Sequence, residues 1–181
     1  PILIQEIGEL FAGTNKTISV EVNPHHTDVE KMVAEGQKLS AMCPNFVIKL
    51  PATEAGYKAV AVLKEHGIRS NLTLVFSSAQ ALQSMRMGAF FTSPFIGWKE
   101  SNGEEVRSFI REIVTVRDYY GYDTEIIVAA VRNARQIMDS AMAGADIVTA
   151  GFAVYKDSFD HPYTGVGLQK FQEFWDMTPY E

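Results

Sequence analysis

The chain has a single cysteine, Cys43, among 181 residues. One thiol supplies neither a disulfide framework nor a cysteine metal cluster, and a reducing compartment, the cytoplasm, is expected. Lysine and arginine clusters are missing too. The 16 basic residues face 22 acidic ones, for a net charge of −6. That balance argues against a nucleic-acid footprint and against a polybasic membrane patch. No apolar run approaches the roughly 20 residues of a membrane helix. The opening "PILIQEIGELF" lacks the positive flank and cleavage site of a signal peptide. There is no phosphate-binding P-loop, and Gly165 and Gly167 do not extend into a dinucleotide fingerprint. His25 and His26 are adjacent, not one helical turn apart, so solvent exposure is expected in place of metal binding. Asn15 and Asn71 match the glycosylation pattern by chance.

What is present is apolar sequence in an alternating order. Apolar residues make up 46% of the chain, enough for one core and one domain over 1–181. Strand patterns fall at "ISVEV" (18–22), "FVIKL" (46–50), "NLTLVF" (71–76), "AFFTS" (89–93), "EIIVAAV" (125–131) and "ADIVTA" (145–150). Helix patterns separate them. Thr27 with Glu30, and Ser77 with Gln80, have the spacing of capping boxes, and Thr53 is a third N-cap candidate. Gly67, Gly88 and Gly121 are stop signals. A last helix is expected at about 164–177, with Phe171, Phe174 and Trp175 as packing residues. Strands separated by helices imply a parallel sheet with right-handed crossovers. An eight-fold β/α barrel takes roughly 250 residues. Six strand–helix units fall two strands short of it. The choice is an open sheet or a (β/α)8 barrel whose first two strands are missing from this chain.

Polar residues interrupt the apolar strands near their C-terminal halves. Side chains alternate faces along a strand, so Lys49 shares a face with Val47, Glu21 with Ser19, and Asn71 with Thr73. With Ser93 they are expected to converge at one end of the sheet. A lysine there has two readings. It reaches solvent or pairs with a carboxylate such as Glu21; or its shielded amine is a nucleophile that forms a Schiff base with a carbonyl. In the second reading Glu21 moves protons through a water held by Thr73, and Asn71 holds a substrate hydroxyl. Asn71 and Thr73 equally suit a role in satisfying backbone groups.

The blocks "VIKLPAT", "SNLTLVFSSAQAL", "TSPFIGW", "IIVAAVRNARQI" and "GADIVT" resemble, in order, those of the transaldolase family, and of its small branch that includes fructose-6-phosphate aldolases. The resemblance implies an eight-stranded β/α barrel working through a Schiff-base lysine, here Lys49, with no cofactor and no metal. It carries Ser93 and Arg132 to substrate binding, Arg132 to the substrate phosphate. Glu21 falls where transaldolases carry glutamate and these aldolases glutamine, and Phe95 where these aldolases carry tyrosine; both favour transaldolase. Trp98 stands where relatives have a second anion-binding arginine, and Ala130 where they often have serine. A guanidinium fork suits phosphate and an indole does not replace it, so a sulfonate or uncharged tail is an alternative. The family's opening strands, with an aspartate acid/base and a "TNP" asparagine, have no counterpart, and a longer polypeptide is expected. The implied activity is transfer of a dihydroxyacetone unit from a ketose to an aldehyde, as in the pentose phosphate pathway. The alternatives are an aldolase that releases dihydroxyacetone and a non-catalytic barrel module. Partners are small sugars, with neither nucleic acid nor membrane, and a homo-oligomer is implied.

Overall fold

The computed structural model describes residues 2–179. A first helix, α1 (Ile2–Phe11), leads to β1 (Ile18–Glu21), α2 (Val29–Ser40), β2 (Phe46–Pro51) and α3 (Glu54–Glu65). Next come β3 (Ser70–Val75), α4 (Ser78–Met87), β4 (Phe91–Pro94), the short α5 (Gly97–Ser101) and α6 (Arg107–Tyr120). The chain continues through β5 (Glu125–Val131), α7 (Ala134–Ala143), β6 (Ile147–Ala150), α8 (Phe152–Asp157) and α9 (Pro162–Met177). All six strands are parallel, and each pairs with its successor in the order β1-β2-β3-β4-β5-β6. Residues of all six line one concave cavity. The sheet is therefore a curled, partial barrel with helices on its outer face.

Local signals explain most helix ends. Ser77 and Gln80 form a reciprocal capping box at α4, and Thr53 Oγ1 accepts the Gly56 N–H at α3. Gly121 ends α6 in the left-handed region at φ 65°, which glycine adopts without Cβ strain. The expected Thr27 cap is corrected. The N-cap of α2 is Asp28, whose carboxylate accepts the Lys31 N–H at 2.9 Å and pairs with its ammonium at 2.9 Å. A charged acceptor with its own counter-ion outcompetes a hydroxyl one residue earlier. The short helices α5 and α8 had no periodic pattern to reveal them.

Two apolar clusters glue the outer helices to the sheet. One joins Met32, Leu39, Val60 and Leu63 to Ile48, Leu50 and Leu72; the other joins Met85, Phe109, Ile110 and Ile113 to Val75, Ile126 and Val128. Each fully buried side chain of this size contributes about 2 kcal/mol. A third cluster, Val47, Phe91 and Ile127, lies among residues of the concave face. Its members come two residues before Lys49, Ser93 and Ala129 on the same strands, so an apolar floor underlies a more polar layer. By contrast α9 has no buried residue, and Phe171, Phe174 and Trp175 are 63–71% exposed. The expected packing role of these three is therefore not met by burial in either cluster of this chain. No described helix is long and apolar enough to cross a membrane.

Candidate active site

Strand register brings the polar residues together. Glu21 pairs with Lys49 across β1 and β2, and Lys49 with Asn71 across β2 and β3. Residues level in a parallel sheet share a face, so all three belong to one row. Lys49 Nζ lies 3.4 Å from Glu21 Oε2, with the two side chains 28% and 49% exposed. The amine is half-shielded, and the carboxylate beside it is open enough to exchange protons with water.

The amide of Asn71 is buried and used at both ends. Its Nδ2 donates to Ser19 Oγ at 3.0 Å, and its Oδ1 accepts from Ser93 Oγ at 2.7 Å. Three strands are thus tied across the concave face, where Lys49, Asn71 and Ser93 line a cavity of about 530 Å³ with Ala129 and Thr149. Asn71 is 2% exposed, so its glycosylation pattern is buried in the folded chain. Thr73, two residues on, is 1% exposed, and its Oγ1 has no hydrogen-bond partner among the described residues. Such a hydroxyl costs about 1–3 kcal/mol unless something supplies a partner. Glu21 also borders a second cavity, of about 670 Å³, with His26, Pro51 and Leu74. His26 is half-buried there, with Nε2 3.3 Å from Glu35 Oε2; the expected exposure holds for His25 alone.

The other candidate residues form a second cluster beyond β4 and β5. Trp98 stacks on Phe76, with centroids 5.6 Å apart and planes 25° apart, and meets the edge of Phe95 at 5.9 Å. Arg132 is exposed and donates from Nη1 to Ser101 Oγ at 2.8 Å. Its side chain passes Gly97: a Cβ there would lie 3.1 Å from Arg132 Cγ and Nε, and 2.0 Å from the Ala130 carbonyl oxygen. The two clusters meet where Phe95 bridges to Ala129, which lines the first cavity. Both strands that reach this cluster from below, β3 and β5, break register at a left-handed residue without being glycine, Leu74 at φ 60° and Ala130 at φ 57°. Each costs about 1–2 kcal/mol relative to regular backbone.

A family model described as Transaldolase/Fructose-6-phosphate aldolase matches residues 2–178. The chain belongs to this family. It is 51% identical over 180 residues to proteins named 6-deoxy-6-sulfo-D-fructose transaldolase from Priestia aryabhattai and Priestia megaterium, covering 99% of this chain and 80% of theirs. A Sulfurihydrogenibium protein named "Probable transaldolase" is 43% identical, over 99% of this chain and 85% of its own. Among solved structures, FabK from Thermotoga maritima superposes with a TM-score of 0.54 at 19% identity, over 81% of this chain and 44% of FabK. That likeness concerns the fold alone. Transaldolase activity is what the family and these named relatives support.

Within this transaldolase-family chain, residue patterns pointed to Lys49, Glu21, Asn71, Thr73 and Ser93, while Phe95, Trp98 and Arg132 came from the family resemblance. Ser19 was placed on Glu21's face by alternation but given no role, and two further neighbours were missed. Phe76 was not legible, because only the fold brings it onto Trp98. Gln136 sits four residues after Arg132 as Gln80 sits four after Phe76, a repeat that was open to reading.

Proposed function

We propose that this chain is a transaldolase that works through a Schiff base on Lys49. The observation that carries it is the Lys49 amine facing a polar cavity on the concave face, 3.4 Å from a carboxylate. The amine attacks the C2 carbonyl of a ketose, and the carbinolamine loses water to give an iminium. The bond between C3 and C4 then breaks as a base takes the C4 hydroxyl proton. An aldehyde leaves, and the electron pair of the broken bond becomes the enamine. That enamine attacks the carbonyl carbon of an acceptor aldehyde, and water hydrolyses the new iminium to release product. Glu21 carries protons in these steps. A buried water held by Thr73 satisfies its Oγ1, and Asn71 with Ser93 orients a reacting hydroxyl. The geometry of a preset polar row is what makes such transfer fast.

Arg132 meets the anionic end of the donor, beside the wall of Phe76, Phe95 and Trp98. We favour a sulfonate at that end. A phosphate monoester carries close to two charges at neutral pH, whereas a sulfonate carries one. One guanidinium beside an indole matches the single charge better, and the relatives at 51% identity are named for a sulfo-fructose donor. The fold completing this site is a (β/α)8 barrel, supported by the sequential strand order and by one cavity shared among six strands. The chain forms one domain of a cytoplasmic homo-oligomer, whose contact is the aromatic α9.

Borohydride reduction with a donor ketose tests the chemistry. A three-carbon adduct on Lys49, found by peptide mass spectrometry, is expected. An unmodified Lys49 under turnover conditions ends the proposal and favours a non-catalytic module. Free dihydroxyacetone released in the absence of an acceptor reassigns the protein as an aldolase.

A further inference from the structure

We infer that Gln136 is a positioning residue that sets the tail specificity of this enzyme by locking the loop of Arg132 to the short helix of Trp98. The inference rests on the reading of Arg132 as the group that meets the donor's anionic end.

Gln136 stands in the first turn of α7 and is 1% exposed. Its Oε1 accepts the backbone N–H of Arg132 at 2.7 Å, and its Nε2 donates to the carboxylate of Glu100 on α5. Glu100 follows Trp98 by two residues. The Arg132 guanidinium reaches the same short helix at Ser101. Arg132 is therefore tied to α5 twice, by its own side chain and, through Gln136, by its backbone.

α5 needs such ties. It has five residues, no side-chain cap and one buried residue, Gly97. A single turn does not hold itself together. A buried amide whose two ends serve different segments resists displacement, because either end left unpaired costs more than the bond contributes when made. The β3 side gives the contrast. Gln80 Oε1 accepts the N–H groups of Phe76 and Ser77 at 2.7 and 3.1 Å, and its Nε2 lies 3.5 Å from the Ala52 carbonyl. Two of the residues that approach α5, Phe76 and Arg132, are thus fixed by a glutamine four positions later. Only Gln136 spends its second end on α5 itself. Loss of that link leaves the Lys49 row intact and loosens the distance between Arg132 and Trp98.

Steady-state kinetics on the full chain test this, with 6-sulfo- and 6-phosphofructose against unsubstituted fructose as donor and glyceraldehyde as uncharged acceptor. Gln136→Met is expected to raise KM for the anionic ketoses about tenfold, with kcat and the fructose parameters within about twofold. Gln136→Glu, which faces Glu100 with a like charge, is expected to do the same or worse. The exchange pair Glu100→Gln with Gln136→Glu reverses donor and acceptor without changing net charge, and it is expected to restore KM to within about threefold. Equal losses on charged and uncharged ketoses, no loss, or no rescue by the exchange pair would overturn the inference. If Gln136→Met does not fold, the exchange pair decides. Borohydride trapping of dihydroxyacetone on Lys49 separates the levels. An unmutated protein that forms no adduct overturns the proposed activity, and this inference with it. Adducts in all variants without tail-selective loss overturn this inference alone.

Discussion

Glu21 Oε2 lies 3.4 Å from Lys49 Nζ, and the two residues are direct register partners on adjacent parallel strands. The carboxylate is the more exposed of the pair. An ion pair that existed only for stability would contribute little in such a setting. Glu21→Gln keeps the shape and a hydrogen bond while removing the proton-carrying charge. Turnover is expected to fall about a hundredfold, with thermal stability within about 1 kcal/mol of the parent. Single-turnover trapping should still yield the Lys49 adduct, more slowly. Unchanged turnover would remove Glu21 from the mechanism.

Thr73 makes an opposite pair of demands. Its buried Oγ1 lacks a partner among the described residues. Valine has nearly the same shape and no hydroxyl to leave unsatisfied. Thr73→Val is expected to stabilise the protein by about 1 kcal/mol in urea unfolding and to lower kcat at least tenfold. A variant both less stable and fully active would mean the hydroxyl serves structure alone.

How far these residues were legible depends on what fixes them. The six strands were readable because each is a short apolar run between turn and cap signals, and alternation put Ser19 with Glu21 and Asn71 with Thr73. Lys49 stood out as a charge in such a run. Its pairing with Glu21 was one of two readings that sequence left open, and the structure has the pair without deciding against the other. Thr27 was read as the cap because a capping-box spacing records residue type but not the ion pair that Asp28 makes with Lys31. Trp98 on Phe76, and Glu100 on Gln136, are contacts between segments that only sheet order brings together. Leu74 and Ala130 adopt left-handed backbone with side chains that carry no signal for it. The aromatic face of α9 was recognisable as apolar, but periodicity does not say against what a face packs.

Gly97 is the point where the tail cluster is thinnest. A Cβ there would stand 2.0 Å from the Ala130 carbonyl oxygen, which belongs to backbone and has no rotamer to escape into. Gly97→Ala is expected to cost about 3 kcal/mol in urea unfolding or to shift α5 outward. In the second case KM for anionic donors rises while dihydroxyacetone trapping at Lys49 persists. A substitution without effect on either measurement would contradict the close approach of α5 to β5.

Acid should weaken one specific brace between α6 and α7. Asp139 is held below the ordinary carboxyl value of 3.8, first by its hydrogen bonds from Arg135 and then by Arg107. Arg107 opens α6, so the carboxylate ties that helix to α7, on which Gln136 also stands. A depressed folded value means the contribution is complete above the unfolded value and is lost as pH falls through the folded one. Asp139→Asn is therefore expected to lower stability by about 1 kcal/mol at pH 7. The difference from the parent should shrink once pH drops below 3.8 and vanish below the folded value. Urea titrations of both proteins at stepped pH measure it. A deficit that persists undiminished in strong acid would assign the loss to packing and not to the charge on Asp139.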